Sequence, residues 1–233
     1  MSKLPPKVLA FDVFGTVVDW RGSIAQGVAR IKLLVDPHAF ASAWRNGYKP
    51  AMARVRSGEL GWTKIDDLHR LILDQVLIDF KIDYLSEAQK RDLNFIWHRL
   101  HPWADSVEGL NRLKKQFTIV TLSNGNLSLL ANMAKNAKLP WDLILCAEVF
   151  RHYKPDPETY LGVAATFDVK PEEVMLVASH KDDLQAANKL GLQTAFIERP
   201  LEFGPDHQRN DLHKEDWIDY HASDLNALAD LLR

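Results

Sequence analysis

Residues 8–16 of the chain read VLAFDVFGT, a short apolar run that ends at Asp12 and is followed at once by Gly15 and Thr16. An apolar run of this length, closed by a glycine turn, is typical of a fully buried strand. In open α/β sheets, ligands bind beyond the carboxyl ends of such strands. The stretch therefore predicts that Asp12 lies at a ligand-binding edge. The alternative is an ordinary buried strand whose aspartate caps the next segment.

Short apolar runs alternate with helical patterns along the rest of the chain. The further runs are residues 117–123 (FTIVTLS), 143–150 (LILCAEVF), 173–179 (EVMLVAS) and 193–198 (QTAFIE). Such alternation implies right-handed crossovers and a parallel sheet covered by helices on both faces. We therefore predict a doubly wound, Rossmann-like α/β fold. One helix is expected to stop before Gly191, and a terminal helix over 223–233 is expected to be capped by Ser223.

Residues 20–101 interrupt this alternation, because they show helical periodicity and no convincing strand. Ser86 and Gln89 form a capping-box signature ahead of an apolar helix face. The simplest arrangement is a helical cap domain over residues 20–101, inserted into a core domain formed by residues 1–19 and 102–233. We expect the cap to stand over the carboxyl edge of the sheet and to shield a site there from water.

The composition of the chain limits the classes of function that it can have. The chain has 233 residues, of which 46% are hydrophobic and 26% charged, with a formal net charge of -2. Such a chain is neither disordered nor membrane-spanning, and its charge argues against a nucleic-acid partner. Cys146 is the single cysteine, so no disulfide framework is expected. We see no basic and apolar leader at the N-terminus, and expect a cytoplasmic protein without a membrane partner.

Polar side chains follow the ends of several predicted strands. They are Asp12 and Thr16, Ser123 and Asn124, Lys154 and Tyr160, and Ser179, His180, Asp182 and Asp183. A carboxylate nucleophile needs a nearby cation that keeps it ionised, and Lys154 can supply that cation. Ser123, Asn124 and the backbone amides after Asp12 can donate hydrogen bonds to an anionic substrate.

This ordered set resembles the four motifs of the haloacid dehalogenase superfamily: a strand-end Asp, a Ser or Thr, a Lys, and an acidic pair or its variant. The resemblance covers essentially the whole chain, including the inserted helical cap. Phosphatases of that superfamily carry DxDxT, and their second Asp protonates the departing alkoxide; here Phe14 takes its place. A halide leaves as a stable anion and needs no proton. The exchange therefore favours carbon–halogen displacement over phosphate-ester hydrolysis.

Further residues are similar to the L-2-haloacid dehalogenase (type II) branch. Trp44 and Arg45 resemble the halide-binding arginine and its neighbour. Asn124 matches the asparagine that shares the halide cradle, and Tyr160 follows Lys154 at the family's own spacing. The resemblance implies an (S)-2-haloacid dehalogenase that acts on short-chain 2-haloalkanoic acids and needs neither a metal nor another cofactor.

By the same resemblance, Asp12 attacks the halogen-bearing carbon with inversion at C2. Water then hydrolyses the aspartyl ester and releases a 2-hydroxy acid. Arg45, a permanently charged donor, and Asn124 would stabilise the departing halide. The substrate carboxylate would be held by Ser123 and by the amides of Val13 and Phe14.

The fourth motif departs from the commonest dehalogenase pattern, which runs roughly Ser-Ser-Asn-x-x-Asp. With Asp183 aligned to the last acid, Ala178 and Ser179 stand at the serines and His180 at the asparagine. Asp182 then falls where an aromatic residue is usual. We expect His180 to donate to the ester or to position the hydrolytic water as a pH-sensitive partner. The alternative is that His180 only spaces the loop.

Two other functions stay open on the sequence alone. One is a magnesium-dependent phosphatase of the same superfamily, in which Asp182 and Asp183 coordinate the cation together with Asp12. The other is a catalytically silent binding protein that has kept the fold. For the leading interpretation we expect a small 2-haloacid substrate, a halide product and a homodimer formed through the apolar cap.

Overall fold

The computed structural model describes residues 4–207 and 209–233 of the chain. Its strands are β1 (Val8–Phe11), β2 (Val18–Asp19), β3 (His101–Pro102), β4 (Thr118–Ser123), β5 (Leu143–Cys146), β6 (Val174–Ala178), β7 (Gln193–Ile197) and β8 (Tyr220–Ala222). Its α-helices are α1 (Trp20–Arg30), α2 (Pro37–Asn46), α3 (Tyr48–Arg56), α4 (Ile65–Asp79), α5 (Glu87–Asn94), α6 (Ser106–Leu113), α7 (Leu127–Ala137), α8 (Ala147–Phe150), α9 (Pro157–Thr166), α10 (Lys181–Lys189) and α11 (Leu225–Leu231). Short 3₁₀ helices cover Phe95–Arg99, Pro171–Glu173 and Pro205–His207.

A six-stranded sheet in the order β5-β4-β1-β6-β7-β8 forms the centre of the fold, and its neighbouring strands are all parallel. Strand β1 lies in the middle, with Val8 in register with Thr118 on one side and Val174 on the other. Leu9 and Phe11 pack into one apolar cluster, while their neighbours on β1 pack into the cluster on the opposite face. Because both faces of β1 are buried, its sequence is a continuous apolar run. The predicted doubly wound α/β fold is confirmed.

The structure corrects two local predictions and adds one strand. The apolar run 143–150 is a strand only as far as Cys146 and continues as helix α8. Strand β8 was not predicted. Helix α11 is capped by Asp224, whose Oδ1 accepts a hydrogen bond from the Ala227 amide at 2.7 Å, and not by Ser223. The stop predicted before Gly191 is confirmed, since α10 ends there and Gly191 has a φ of 87°.

Helices α1 to α5 and the first 3₁₀ helix all lie between β2 and β3 in the chain. The two strands form a separate antiparallel sheet, with Asp19 opposite His101, so the chain enters and leaves the helical segment at one place. The capping box at Ser86 and Gln89 is present at the start of α5. The assignment of this segment as a separate cap domain stays a prediction. None of the helices described in the structure is long and apolar enough to cross a membrane.

Arg199 joins the loop after β1 to the beginnings of α6 and α11. Its side chain is buried and donates from Nε to the Thr16 carbonyl at 2.8 Å and from its two terminal nitrogens to Asp105 at 2.9 and 2.8 Å. Asp105 Oδ2 also accepts from the Leu225 amide at 2.9 Å, at the start of α11. Burial alone would raise the pKa of Asp105, but Arg199 holds it below its ordinary value. One ion pair therefore joins three parts of the core.

We predict that Arg199→Met lowers the free energy of unfolding by about 3–5 kcal/mol, because removal of one partner leaves the Asp105 carboxylate without its counter-charge. Urea denaturation of both proteins measures the change. Arg233→Met is the matched control, since Arg233 pairs with Asp230 on the surface at 3.0 Å and such pairs contribute little. Equal stability of the two variants would contradict the role given to Arg199.

Candidate active site

Asp12 follows β1 directly, and only 7% of its surface is exposed. Its Oδ2 accepts a hydrogen bond from the Thr16 hydroxyl at 2.7 Å and lies 3.1 Å from Nδ1 of His180. Its Oδ1 accepts from the Lys154 ammonium at 3.0 Å. The two carboxylate oxygens are thus distinguished, because Oδ2 has two partners from the core and Oδ1 faces the lysine.

A tight turn after β1 brings Thr16 back over Asp12. The Val17 amide donates to the Val13 carbonyl at 2.9 Å, and Gly15 adopts a φ of 86° that favours glycine. A Cβ on Gly15 would lie 2.2 Å from Oε1 of Glu202. Glycine is required here both for the backbone conformation and for the approach of that carboxylate.

Lys154 lies in the loop between α8 and α9 with its ammonium buried in the site. The ammonium donates hydrogen bonds to Asp12 and to Asp183. Asp183, in the first turn of α10, also accepts from the Tyr160 hydroxyl at 2.6 Å. Pro157 and Asp156 begin helix α9, which carries Tyr160 to this position. The strand-end residues Asp12, Lys154 and Asp183 therefore meet as predicted.

The charges of these groups depend on one another. Burial alone would raise the pKa of Asp12, but Lys154 and His180 hold it well below its ordinary value. Burial would likewise lower the pKa of Lys154, but Asp12 and Asp183 raise it above its ordinary value. The pKa of Asp183 is raised, first by burial and then by the neighbouring Asp12 charge, against the pull of Lys154. Asp12 is therefore an ionised carboxylate beside a charged ammonium.

The two acids of the fourth motif, Asp182 and Asp183, face different surroundings. The Lys154 ammonium bonds to both Asp12 and Asp183, so a divalent cation there would face a like charge. The third candidate ligand, Asp182, is exposed and pairs with Lys49 at 3.4 Å instead. Within residues 4–207 and 209–233, no group of three acidic, histidine or cysteine side chains is arranged to hold a metal ion.

His180 lies between two carboxylates. Its Nδ1 faces Asp12 Oδ2 at 3.1 Å, and its Nε2 faces Glu202 Oε1 and Oε2 at 2.9 and 3.1 Å. Because carboxylates accept and do not donate, both ring nitrogens must carry protons. Burial would lower the pKa of His180, but Glu202 and Asp12 raise it to about 10. The raised pKa favours an imidazolium at His180 near neutral pH, and its expected role as a pH-sensitive partner stays a prediction.

Glu202 is the site residue that the sequence analysis missed. It is 1% exposed and accepts hydrogen bonds from Trp20 Nε1 at 3.2 Å and from the Arg209 guanidinium at 3.0 Å, besides facing His180. Burial would raise the pKa of Glu202, but His180 and its other partners lower it. The only signal in the sequence was its place in the loop that follows β7.

A cavity of 590 Å³ opens in front of these groups. It is lined by most of the predicted site residues, namely Asp12, Phe14, Arg45, Asn124, Lys154, Tyr160, His180 and Asp183. Val13 and Ser123 are buried behind this lining, and the Ser123 hydroxyl accepts from the Gly125 amide at 3.1 Å. Their predicted contact with a substrate carboxylate stays a prediction.

Arg45 reaches the cavity from the helical segment. Its guanidinium lies 4.1 Å above the Tyr48 ring and 5.6 Å from the Trp20 ring. Stacking uses the face of the guanidinium, so its N–H groups point outward from the edge of the plane. Asn124, on the core side, accepts from the Lys154 amide at 2.6 Å and donates to the Lys154 carbonyl at 3.4 Å.

Phe14 occupies the place where the resemblance puts a proton donor in phosphatases. Its buried ring packs edge-on against Trp97, with ring centroids 5.8 Å apart, and against His69 at 6.5 Å. Burial lowers the pKa of His69 to about 3, so this neighbour is neutral. The environment of Phe14 is apolar and offers no proton to a leaving group.

Comparison with known proteins identifies relatives of the chain. A family model described as haloacid dehalogenase-like hydrolase matches residues 6–191. The crystal structure of an L-2-haloacid dehalogenase is similar at 44% identity with a TM-score of 0.93, covering 99% of this chain and 100% of that one. The crystal structure of a defluorinating L-2-haloacid dehalogenase is similar at 44% identity and a TM-score of 0.94, covering 100% of both chains. The (S)-2-haloacid dehalogenase 4A of Burkholderia cepacia is 28% identical over 222 residues, which cover 88% of this chain and 91% of that protein.

We predict that His180 is doubly protonated at neutral pH and loses a proton only near pH 10. The physical reason is that its pKa is raised above 6.5 by two flanking carboxylates, so the charged form persists until the solution reaches the raised value. Nitrogen-15 NMR of labelled histidine, with His180→Asn to assign the signal, measures both ring nitrogens across pH. A midpoint near 6.5, the ordinary value, would contradict the structure.

Proposed function

The chain belongs to the haloacid dehalogenase-like hydrolase family, and from this premise we propose that it hydrolyses the carbon–halogen bond of short-chain 2-haloalkanoic acids. The product would be the 2-hydroxy acid. The observation that carries the proposal is an ionised Asp12 with an apolar residue, Phe14, in place of a proton donor, facing a cavity that also holds Arg45. Phe14 supplies no proton to a leaving group, which suits a halide, since a halide departs as a stable anion. The names of the similar proteins support the same substrate class.

We assign the first step to Oδ1 of Asp12. Oδ2 already accepts from Thr16 and faces the His180 imidazolium, so its lone pairs are engaged. Oδ1 attacks C2 of the substrate from the side opposite the halogen, which inverts that centre and forms an aspartyl ester. Lys154 keeps the carboxylate ionised and oriented before the attack.

The halide departs toward Arg45 and Asn124. A stacked guanidinium is already desolvated on one face and keeps its charge in a closed site, so it can receive an anion without reorganising. We propose that Ser123 and the amides of Val13 and Phe14 hold the substrate carboxylate, as the family resemblance implies.

Water completes the reaction by attacking the carbonyl carbon of the Asp12 ester. We assign acceptance of its proton to Asp183, a carboxylate lining the same cavity and held by Lys154 and Tyr160. The other buried carboxylate, Glu202, is engaged by His180 and Arg209. Hydrolysis restores Asp12 and releases the 2-hydroxy acid.

The helical segment is proposed to act as the cap of this site. It contributes Arg45 and Tyr48 to the cavity. It also contacts the core through an ion pair between Arg56 and Asp156 at 3.0 Å and through the pair of Lys49 with Asp182. Contacts of this kind close the cavity over a small substrate and limit its access to water.

The magnesium-dependent phosphatase is not favoured, because Phe14 provides no acid for an alkoxide leaving group. The homodimer and the cytoplasmic location stay predictions.

We predict halide release from (S)-2-chloropropionate that is unaffected by EDTA and is abolished in Asp12→Asn, because an amide oxygen is a poor nucleophile. Halide release in wild type and variant is the measurement, with fluoroacetate and a panel of phosphate esters assayed alongside. Phosphate release that EDTA abolishes, without halide release, would establish the phosphatase instead. No turnover of any substrate would support the silent binding protein.

A single turnover in ¹⁸O-labelled water separates the ester mechanism from direct attack by water. Water attacks the ester carbonyl carbon, so the label is expected on Asp12 and not on the first product molecule. Mass spectrometry of the peptide that contains Asp12 detects it. Label found only in the product would rule out the ester.

We predict that Arg45→Lys lowers kcat by about 100-fold, the typical effect of losing an aligned donor to a developing anion. A lysine keeps the charge but cannot reproduce the stacked, planar donor array. Arg54→Lys is the matched control, since Arg54 lies on α3 and pairs with the exposed Glu59 at 2.7 Å. Near-native activity of Arg45→Lys would remove Arg45 from the site.

A further inference from the structure

We propose that Thr16 and His180 together stabilise the oxyanion formed when the Asp12 ester is hydrolysed, and that Glu202 is the positioning residue that keeps His180 aimed at that oxygen. This inference rests on the proposed function and assigns its second half-reaction.

The two donors already converge on one oxygen. Oδ2 of Asp12 lies 2.7 Å from the Thr16 hydroxyl and 3.1 Å from Nδ1 of His180. After Oδ1 has bonded to the substrate carbon, Oδ2 is the carbonyl oxygen of the ester. Two donors at these distances match an oxyanion site, in which preorganised groups point to the atom where charge develops.

Hydrolysis of the ester passes through one tetrahedral intermediate. Water forms a bond to the ester carbon as Asp183 takes its proton, and the carbonyl electron pair moves onto Oδ2. The intermediate collapses by breaking the bond between that carbon and Oδ1. The departing alkoxide takes the proton held by Asp183, and the regenerated Asp12 carboxyl loses its remaining proton to solvent.

Glu202 is needed most in this half of the reaction. In the free enzyme, His180 faces two negative charges, those of Asp12 and Glu202. Esterification removes the charge of Asp12, so Glu202 becomes the carboxylate that directly holds the imidazolium. It contacts Nε2 with both oxygens, at 2.9 and 3.1 Å, and is itself fixed by Trp20 and Arg209. The ring therefore keeps its proton and its direction while Oδ2 becomes negative.

The wider surroundings of His180 support this assignment. His180 is connected to Lys154 and Asp183 through its contact with Asp12. It is connected to Arg209 through its contact with Glu202. Gly15 leaves the room that lets the Glu202 carboxylate reach the ring, since a Cβ there would lie 3.2 Å from Cε1 of His180 and 2.2 Å from Oε1 of Glu202. The loop after β1 and the loop after β7 are thus shaped around this pair.

The test compares the two half-reactions in Glu202→Gln with (S)-2-chloropropionate as the probe. Rapid-quench measurement gives halide release in the first turnover, and intact-mass spectrometry of the quenched enzyme measures the ester on Asp12. We expect the first turnover to stay close to wild type, because Lys154 and Thr16 still hold Asp12. Steady-state turnover is expected to fall by about 100-fold, and the ester to accumulate.

Glu198→Gln is the matched control. Glu198 pairs with His221 at 2.6 Å outside the cavity, so its loss disturbs a similar glutamate–histidine pair without touching Asp12. No ester should accumulate in this variant.

A second comparison uses His180→Asn, which introduces the asparagine of the commoner family pattern. The neutral asparagine amide can donate to Oδ2 and needs no counter-charge from Glu202. Adding Glu202→Gln to His180→Asn should therefore cause no further loss of steady-state turnover. If Glu202→Gln does not fold, Glu202→Asp provides the same readout, since it keeps a carboxylate for Arg209 but draws it back from the ring.

The outcomes separate the two proposals. First-turnover halide release and steady-state turnover that fall together, without accumulated ester, would overturn the role of Glu202. An equal additional loss on the His180→Asn background would do the same. A wild-type enzyme that releases no halide would instead refute the proposed function itself.

Discussion

The Lys154 ammonium between Asp12 and Asp183 is the contact on which the rest of the site depends. It is one link in a row of alternating charges that runs Asp183, Lys154, Asp12, His180, Glu202, Arg209, with each neighbour within hydrogen-bond distance. Three carboxylates thus alternate with three cations before the row reaches the more exposed Asp211. A buried charge is tolerated only when it is paired and hydrogen-bonded, and here each partner satisfies the next. The row is neutral only while Asp12 is ionised.

This charge balance affects both the resting enzyme and the ester formed on Asp12. Esterification of Asp12 removes one negative charge and leaves Lys154 and His180 on either side of a neutral carbonyl. The site then carries an excess positive charge, which favours any step that returns negative charge to that position. Addition of water does so at once, by forming an oxyanion on Oδ2, and release of the 2-hydroxy acid completes it. The arrangement that keeps Asp12 ionised in the resting enzyme therefore also favours hydrolysis of the ester.

The sequence predicted the parts of this row that follow buried strands. Asp12 comes directly after an apolar run, and Lys154 and Asp183 lie just beyond two others, so the meeting of strand ends at one edge brings them together. Glu202 gave no such signal, because it lies in an irregular loop after β7, and its approach to the site depends on the missing Cβ of Gly15. The apolar run 143–150 was read as one strand because hydrophobicity alone does not distinguish a short buried helix from a strand. Strand β8 was missed because two of its three residues are only partly buried at the edge of the sheet.

Phe14 links the choice of leaving group to the docking of the helical segment. Its ring rests on Trp97 and His69, and Tyr48 lies beside His69 and beneath Arg45. The side chain that replaces a proton donor is therefore also part of the apolar contact that holds the arginine over the nucleophile. An aspartate at this position would bury a carboxylate among aromatic rings, and Lys154 would still lie between Asp12 and Asp183. Conversion to phosphatase chemistry would thus require changes in the first loop and in the helical segment together.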